Sequence, residues 1–441
     1  MLLLLSVILA LGLPMGGIAE TAPANSLLSP VYLPLISKNM PFIPSIGLLD
    51  TDFGGDGIVT SALSAGDDFG IALALLGDGK LLVGGEVSSD YDMDLAVARY
   101  NPDGSLDAAF GSAGWTRTDL DGWDDYAAGI AVQPDGRILL AGTSRDDFAL
   151  VRYTAAGSLD ASFGSAGWLR TDFFGSADEA KAVAVQADGR IMVAGYAMNG
   201  TQYDFALARY LPDGSLDASF GGDGKVTDDL TGDQDQIKAI AIQPDGKIIA
   251  VGSVKNGSRL HDFAVARYHS NGDRDLTFGI NGWIATDFFS GHDFAYAVAL
   301  QADGKIVVAG AADIVYEHAV FALARYTAGG NLDATFDGDG RLVTDFGAVG
   351  DFAYAVCIQP DGKIIAAGYA NNGVNDDFAL VRYNPNGSLD PGFSGDGMLM
   401  TDLAAGEDKG LAVVLQSDGK VVLAGSAFNG SNADFALARY K

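Results

Sequence analysis

From about residue 49 onward, short apolar runs alternate with clusters of Gly, Asp, Asn and Ser, and the alternation repeats about every 57 residues, seven times. Each unit predicts four short strands. The first is an Ala-rich run ending at Leu76, Gln133, Gln186, Gln243, Gln301, Gln359 or Gln416. The second, such as Lys247 to Gly252, follows an Asp-Gly pair (Asp78-Gly79, Asp135-Gly136, Asp188-Gly189, Asp245-Gly246, Asp303-Gly304, Asp361-Gly362 or Asp418-Gly419), whose Gly supplies the positive φ of a hairpin turn. In the third, Phe205, Leu207 and Arg209 share one face while Ala206, Ala208 and Tyr210 share the other. Neither face is polar enough for solvent, so this strand is expected to be covered on both sides. The fourth follows a Leu-Asp-x-x-Phe segment such as Leu159-Asp160 and Phe163, and runs through Trp168 to Asp172. Its mixed polarity places it outermost.

Four antiparallel strands per unit with short connections describe a propeller blade, so the fold expected is all-β, a seven-bladed β-propeller spanning residues 46–441. A β-helix is the rival, but its coils are shorter than 57 residues and need no four distinct strands. The first copy opens with outer-strand residues Leu49-Asp50 and Phe53, and the last stops after its third strand at Tyr440. The ring is therefore expected to close by the N-terminal strand joining the C-terminal blade.

The Leu-Asp-x-x-Phe segment, the Gln-Pro-Asp-Gly-Lys turn at Gln243 to Lys247 and Gln359 to Lys363, and the strand at Asp204 to Tyr210, Asp377 to Tyr383 and Asp434 to Tyr440 resemble the delta-60 repeat family. That resemblance covers about residues 46 to 440 and implies an exported bacterial β-propeller without established activity. It brings no catalytic residues. Departures are local: Leu76-Gly77 replaces Gln-Pro, Arg274 replaces Leu, and Val320-Phe321 lacks the Asp.

Ahead of the repeats, an apolar run from Leu2 to Leu13 is followed by Pro14, Gly16 and Gly17, with small Gly17 and Ala19 at the −3 and −1 positions of a signal-peptidase site. Residues 1–19 are therefore expected to be a cleaved signal peptide, with an uncleaved anchor as the alternative because no Lys or Arg precedes the run. Five prolines between residues 20 and 45 predict an extended linker. The single Cys357 permits no intrachain disulfide and reads as a small buried hydrophobe. A net charge of −30 argues against nucleic acid and against membrane association once the signal is removed. Asp outnumbers Glu 52 to 5, as expected where short carboxylates accept backbone N–H groups in turns.

A group repeated seven times is first of all scaffold. Arg99, Arg152, Arg209, Arg267, Arg325, Arg382 and Arg439 share a face with core residues and are expected to form structural ion pairs with repeated Asp residues, such as those of Thr171-Asp172 or Leu159-Asp160. The basic residues after the Asp-Gly turns (Lys80, Arg137, Arg190, Lys247, Lys305, Lys363 and Lys420) read as solvated strand starts. Asp68, Asp125, Asp178, Asp235, Asp293, Asp351 and Asp408 introduce the inner strands and would form a carboxylate ring at one channel mouth. They either hold a hard cation such as calcium, the one cofactor considered, or cap their own turns, and sevenfold recurrence favours capping.

The loops between strands two and three vary most, from Thr143–Asp146 to Ala311–Ala319, and Trp123 and Tyr126 on the same face could stack on a sugar. His261, His269, His292 and His318 lack metal-type spacing, and no nucleophile elbow, zinc helix or nucleotide loop is present. The expectation is a secreted or cell-surface, non-catalytic binding or structural module whose partner is an extracellular protein or carbohydrate. The alternative is a propeller glycoside hydrolase or lectin using the acidic mouth, with Asp124, Asp125, Glu179 and Glu407 as its carboxylates.

Overall fold

The computed structural model describes residues 48–88, 92–255, 260–314, 318–348, 350–404 and 406–441, and the backbone of Leu35–Ser37. The described repeats form seven four-stranded antiparallel sheets, the blades of a seven-bladed β-propeller. The third blade shows the plan: inner strand Asp178–Val185, second Ile191–Met198, third Tyr203–Tyr210 and outer Lys225–Asp228. The other inner strands are Asp68–Leu75, Asp125–Val132, Asp235–Ile242, Asp293–Leu300, Phe352–Ile358 and Asp408–Leu415. Each touches the next around the ring, including the seventh and the first. At the Asp-Gly turns Gly246 has φ 83° and its N–H bonds the Gln243 carbonyl at 2.9 Å, as the composition of that turn requires.

The seventh sheet is composite. Its inner three strands end the chain, while Ile58–Ser61 runs antiparallel to Ala433–Tyr440 with Ile58 opposite Ala438 and Ser61 opposite Phe435. The expected signal segment 1–19 lies outside the described residues, and so does the linker 20–45 apart from Leu35–Ser37, which pairs parallel with Val343–Asp345.

Apolar side chains on both faces of the third strands give seven clusters, one in each gap between adjacent blades. Phe148 and Leu150 of the second blade pack on Ala206, Ala208 and Tyr210 of the third, and Phe205 and Leu207 of the third pack on Ala264, Ala266 and Tyr268 of the fourth. The small Ala face lets the larger Phe/Leu face approach. Inside this interface Tyr210 donates to Thr171 Oγ1 at 2.7 Å across blades, and the same bond joins Tyr153 to Thr118 at 2.9 Å.

The seven strand-three arginines pair with the Asp of the Leu-Asp-x-x-Phe segment at 2.6–2.9 Å: Asp107, Asp160, Asp217, Asp275, Asp333, Asp390 and, for Arg439, Asp50. Each guanidinium also lies 4.3–4.9 Å from the centre of the segment's Phe ring. The basic residues after the Asp-Gly turns are engaged rather than solvated. All seven reach the same Asp at 2.7–3.3 Å, so each buried carboxylate is held by two cations. Arg99 and Arg267 additionally donate to the carbonyls of Ala155 and Ala328 in the next blade, both at 2.6 Å.

Candidate functional site

The inner strands present side chains to the axis through a bulge. In every blade the ladder to the second strand shifts register after the third position, as between Ala180 and Ala182. The bulge presses the carbonyl of the residue after the leading Asp against the second strand. A Cβ on Gly195 would lie 1.9 Å from the Glu179 oxygen, and at the six equivalent glycines the distance is 1.8–2.0 Å, so only Gly fits.

The half-exposed residues one and three places after the leading Asp converge on the axis, and they differ between blades. In the fifth and sixth blades they are aromatic: Tyr296 stacks on Tyr354 at 4.5 Å, Tyr354 on Tyr369 at 5.5 Å, and Phe294 on His292 at 5.9 Å. In the third they are the charged Glu179 and Lys181, and in the fourth Gln236 and Lys238. Lys181 bonds Glu179 at 2.7 Å, and the Lys238 ammonium lies 4.8 Å from the Tyr196 ring. Burial, reinforced by Lys181, brings the Lys238 pKa down to about 8.

Next to this charged arc a cavity of about 590 Å³ opens across the first three blades, lined by Glu86, Trp123, Asp124, Tyr126, Thr143, Arg145, Asp146, Glu179 and Lys181 among others. Its rim is low because the second blade joins its second and third strands by two residues only. Arg145 (φ 49°) and Asp146 (φ 61°) both take left-handed backbone, the conformation of a tight hairpin normally built from Gly or Asn. Trp123 is left 62% exposed and Tyr126 50% exposed, with the Arg145 guanidinium 5.6 Å from the indole. At the cavity floor, burial raises the Glu86 pKa to about 7, and nearby Asp124 adds to the rise. Burial would raise Glu179 as well, but Lys181 overrides it and the net shift is downward.

The seven Asp residues expected at the mouth are instead withdrawn into the blade junctions: Asp68, Asp125, Asp178, Asp235, Asp293, Asp351 and Asp408 are all 0% exposed. The Oδ2 of each accepts the backbone N–H five residues earlier at 2.6–2.8 Å, closing the turn into the inner strand. Burial first, and neighbouring carboxylates second, raise Asp125, Asp178 and Asp235 to about 6, Asp408 to about 7, and Asp293 and Asp351 to about 8. The neighbours come from the preceding blade. Asp178 meets Asp147 and Asp172, Asp293 meets Asp262 and Asp287, and Asp408 meets Asp377 and Asp402, each trio with one oxygen per residue within 4.8 Å of the others. At an effective dielectric near 20, two full charges 4.8 Å apart repel by about 3.5 kcal/mol.

By sequence, the profile of a domain of unknown function with a β-propeller fold, DUF5122, matches residues 76–110, 133–163, 186–220, 243–278, 301–336, 359–393 and 416–441, more than half of the chain. The chain belongs to the DUF5122 β-propeller family. No curated protein matches it by sequence. Among solved structures this DUF5122 propeller is similar to virginiamycin B lyase from Staphylococcus aureus. It is so both in a catalytically inactive form with quinupristin (TM-score 0.51, 11% identity) and in the selenomethionine form (0.51, 10%), each comparison covering 86% of this chain and 98% of that one. The polysaccharide lyase Uly1 is also similar, at TM-score 0.48 and 11% identity over 87% of this chain and 91% of that one. At such identity the likeness shows the fold alone.

Two groups in the DUF5122 ring escaped the reading of the sequence. Glu86 occupies a second-strand position held elsewhere by Thr143, Tyr196, Ser253, Ala311, Tyr369 and Ser426, so the signal available was a lone acid breaking a repeat. His261 and His292, 31 residues apart, come together with ring centres at 5.6 Å because they flank neighbouring blades at one end of the ring. Of the carboxylates considered for hydrolysis, Asp124 and Glu179 share the cavity, Asp125 is buried beneath it, and Glu407 lies beside Asp376 in another blade junction.

Proposed function

We propose that this protein is a secreted or cell-surface binding module, built from units of the delta-60 kind, that takes a carbohydrate in the cavity across its first three blades. One observation carries the ligand class: an exposed Trp-Tyr pair over a cavity otherwise lined by charged and hydroxyl side chains. A sugar ring needs that combination, an apolar face for its C–H groups and convergent hydrogen-bonding groups for its hydroxyls. Secretion rests on the apolar run from Leu2 to Leu13 and its small-residue cleavage pattern. Calorimetric titration of residues 20–441 against a panel of neutral, acidic and amino-sugar oligosaccharides tests the reading. Binding by at least one of them, weakened at least tenfold by Trp123→Ala, supports it. Absence of binding across the panel sinks it.

A second reading is favoured by Glu86. A carboxyl raised to about 7 beside Asp124 and Glu179 has the asymmetry of a general acid with a base, the arrangement of a glycoside hydrolase. If any bound oligosaccharide is cleaved and Glu86→Gln stops cleavage while leaving binding intact, the protein is a hydrolase and the non-catalytic reading falls.

A further inference from the structure

The three Asp trios differ from the remaining blade junctions in a way that separates scaffold from ligand site. At the sixth-to-seventh junction, Asp377 leads in from the third strand of one blade, Asp402 follows that blade's outer strand, and Asp408 opens the next blade's inner strand. Asp377 and Asp408 are both 0% exposed, and in each Oδ1 has no hydrogen-bond donor although Oδ2 has one. The second-to-third and fourth-to-fifth junctions repeat the arrangement, with Oδ1 of fully buried Asp178 and Asp293 left without a donor.

Elsewhere an acid is missing, a donor fills the open oxygen, or a guanidinium enters the cluster. At the third-to-fourth junction Asp204, Asp229 and Asp235 are present, but Gln202 donates to Asp204 Oδ1 at 3.3 Å and the Thr231 hydroxyl to Asp235 Oδ1 at 2.8 Å. At the fifth-to-sixth junction Val320 replaces one acid and Asn371 N–H supplies Asp351 Oδ1 at 3.3 Å. At the seventh-to-first junction Ala62 stands where Asp172, Asp287 and Asp402 stand, leaving two acids. At the first-to-second junction the Arg117 guanidinium pairs with buried Asp94 at 2.5 Å. Buried oxygens without a donor also remain on Asp68 and Asp434 at the seventh-to-first junction and on Asp94 and Asp125 at the first-to-second, but the former has only two of the three acids and the latter, where Asp92, Asp94 and Asp119 cluster, has the Arg117 guanidinium on Asp94; the three trios combine three converging acids with such an oxygen.

We propose that these three junctions are calcium sites: Asp147, Asp172 and Asp178; Asp262, Asp287 and Asp293; and Asp377, Asp402 and Asp408. A hard cation with oxygen ligands at about 2.3–2.6 Å bridges oxygens up to about 5 Å apart, and its flexible six-to-eight-fold shell accepts backbone carbonyls and water beside the three carboxylates. The ions would sit between blades, adding to the apolar packing and the Tyr–Thr and arginine–carbonyl bonds that already join neighbours, and the proposal is independent of the sugar cavity.

Equilibrium dialysis of residues 20–441 against radioactive calcium, after chelator treatment and at about 0.1 M salt, counts the ions. Three per chain are expected. Asp172→Asn, Asp287→Asn and Asp402→Asn, all at exposed positions, should each remove one, the triple variant should bind none, and Asp229→Asn at the third-to-fourth junction should leave three. Circular dichroism of each variant separates loss of the site from loss of the fold. A folded wild type that takes up no calcium at 1 mM, or a folded triple variant that keeps all three ions, overturns the proposal. Competition by magnesium at equal concentration would move the assignment away from calcium.

Discussion

Phe53 and Phe163 occupy the same place in the repeat and differ in how the chain holds them. Both are 0% exposed, with the Arg439 guanidinium 4.7 Å from one ring and Arg152 4.3 Å from the other. The Phe163 segment is covalently continuous with the third and outer strands of its own blade. The Phe53 segment is held to the last strand only by non-covalent bonds: Asp50 N–H to the Arg439 carbonyl at 2.8 Å, Arg439 N–H to Gly57 at 2.9 Å, Lys441 N–H to Leu48 at 2.8 Å, the short ladder from Ile58 to Ser61, and ion pairs to Asp50. Truncating a buried Phe to Ala costs about 3–5 kcal/mol. In Phe163→Ala that loss is shared by the whole cooperative ring. In Phe53→Ala it falls on one detachable segment, so the equilibrium for local opening of residues 48–61 should rise by roughly 10² to 10³·⁵ at 1.4 kcal/mol per decade. Native-state hydrogen exchange read by mass spectrometry distinguishes the two. Peptides covering 48–61 and 433–440 should exchange early in Phe53→Ala while the first six blades stay protected, and Phe163→Ala should show no such hot spot. Equal patterns in the two variants, or unchanged protection of 48–61, would refute the reasoning.

Two further outcomes follow from the scaffold. Asp107, held by Lys80, and Asp160, held by the Ser162 hydroxyl and then Arg152, have pKa values near 2. Asp50, Asp217 and Asp333 also reach about 2 even though burial, their largest influence, acts upward. A carboxyl depressed on folding contributes stability above its unfolded value of about 4 and loses it as pH falls, so urea midpoints should drop steeply between pH 4 and pH 2, and a flat profile there would count against the paired cations. Gly195→Ala should lower stability by about 1–3 kcal/mol, because the new methyl meets the Glu179 carbonyl and must flatten the bulge, which also shifts Glu179 out of the cavity. A melting temperature within 1 °C of wild type would show that the bulge yields freely.

The blade plan was legible because it is written seven times. Asp-Gly pairs mark the hairpins, and strand-three faces of Phe/Leu and Ala/Tyr predict burial on both sides, which the clusters between blades bear out. The pairing of the seven arginines was legible for the same reason, since a guanidinium on an apolar face needs a carboxylate. The second cation on each Asp was not, because Arg190 and Asp217 are 27 residues apart and meet only when the hairpin folds back. For the seven Asp residues the favoured capping role holds, and only their placement at the channel mouth does not. The strand's first and third residues share the face buried at the blade junction, while its second and fourth stay half-exposed, so opening the inner strand does not place the Asp at the mouth. The asymmetric chemistry, Glu86 and Lys238 against Tyr296 and Tyr354, is invisible to a search for repetition because it consists of the positions that do not repeat.

The composite seventh blade sets an order of events for a chain made from its N-terminus. Ile58–Ser61 emerges among the first repeat residues, yet its sheet partner among the described residues, Ala433–Tyr440, comes after six other blades. Until then the first blade has no seventh to pack against, and Phe53, Leu81 and Tyr100 face water. The circle is therefore finished by residues 433–440. A ribosome that still holds them keeps the whole ring open, and releasing them lets it shut.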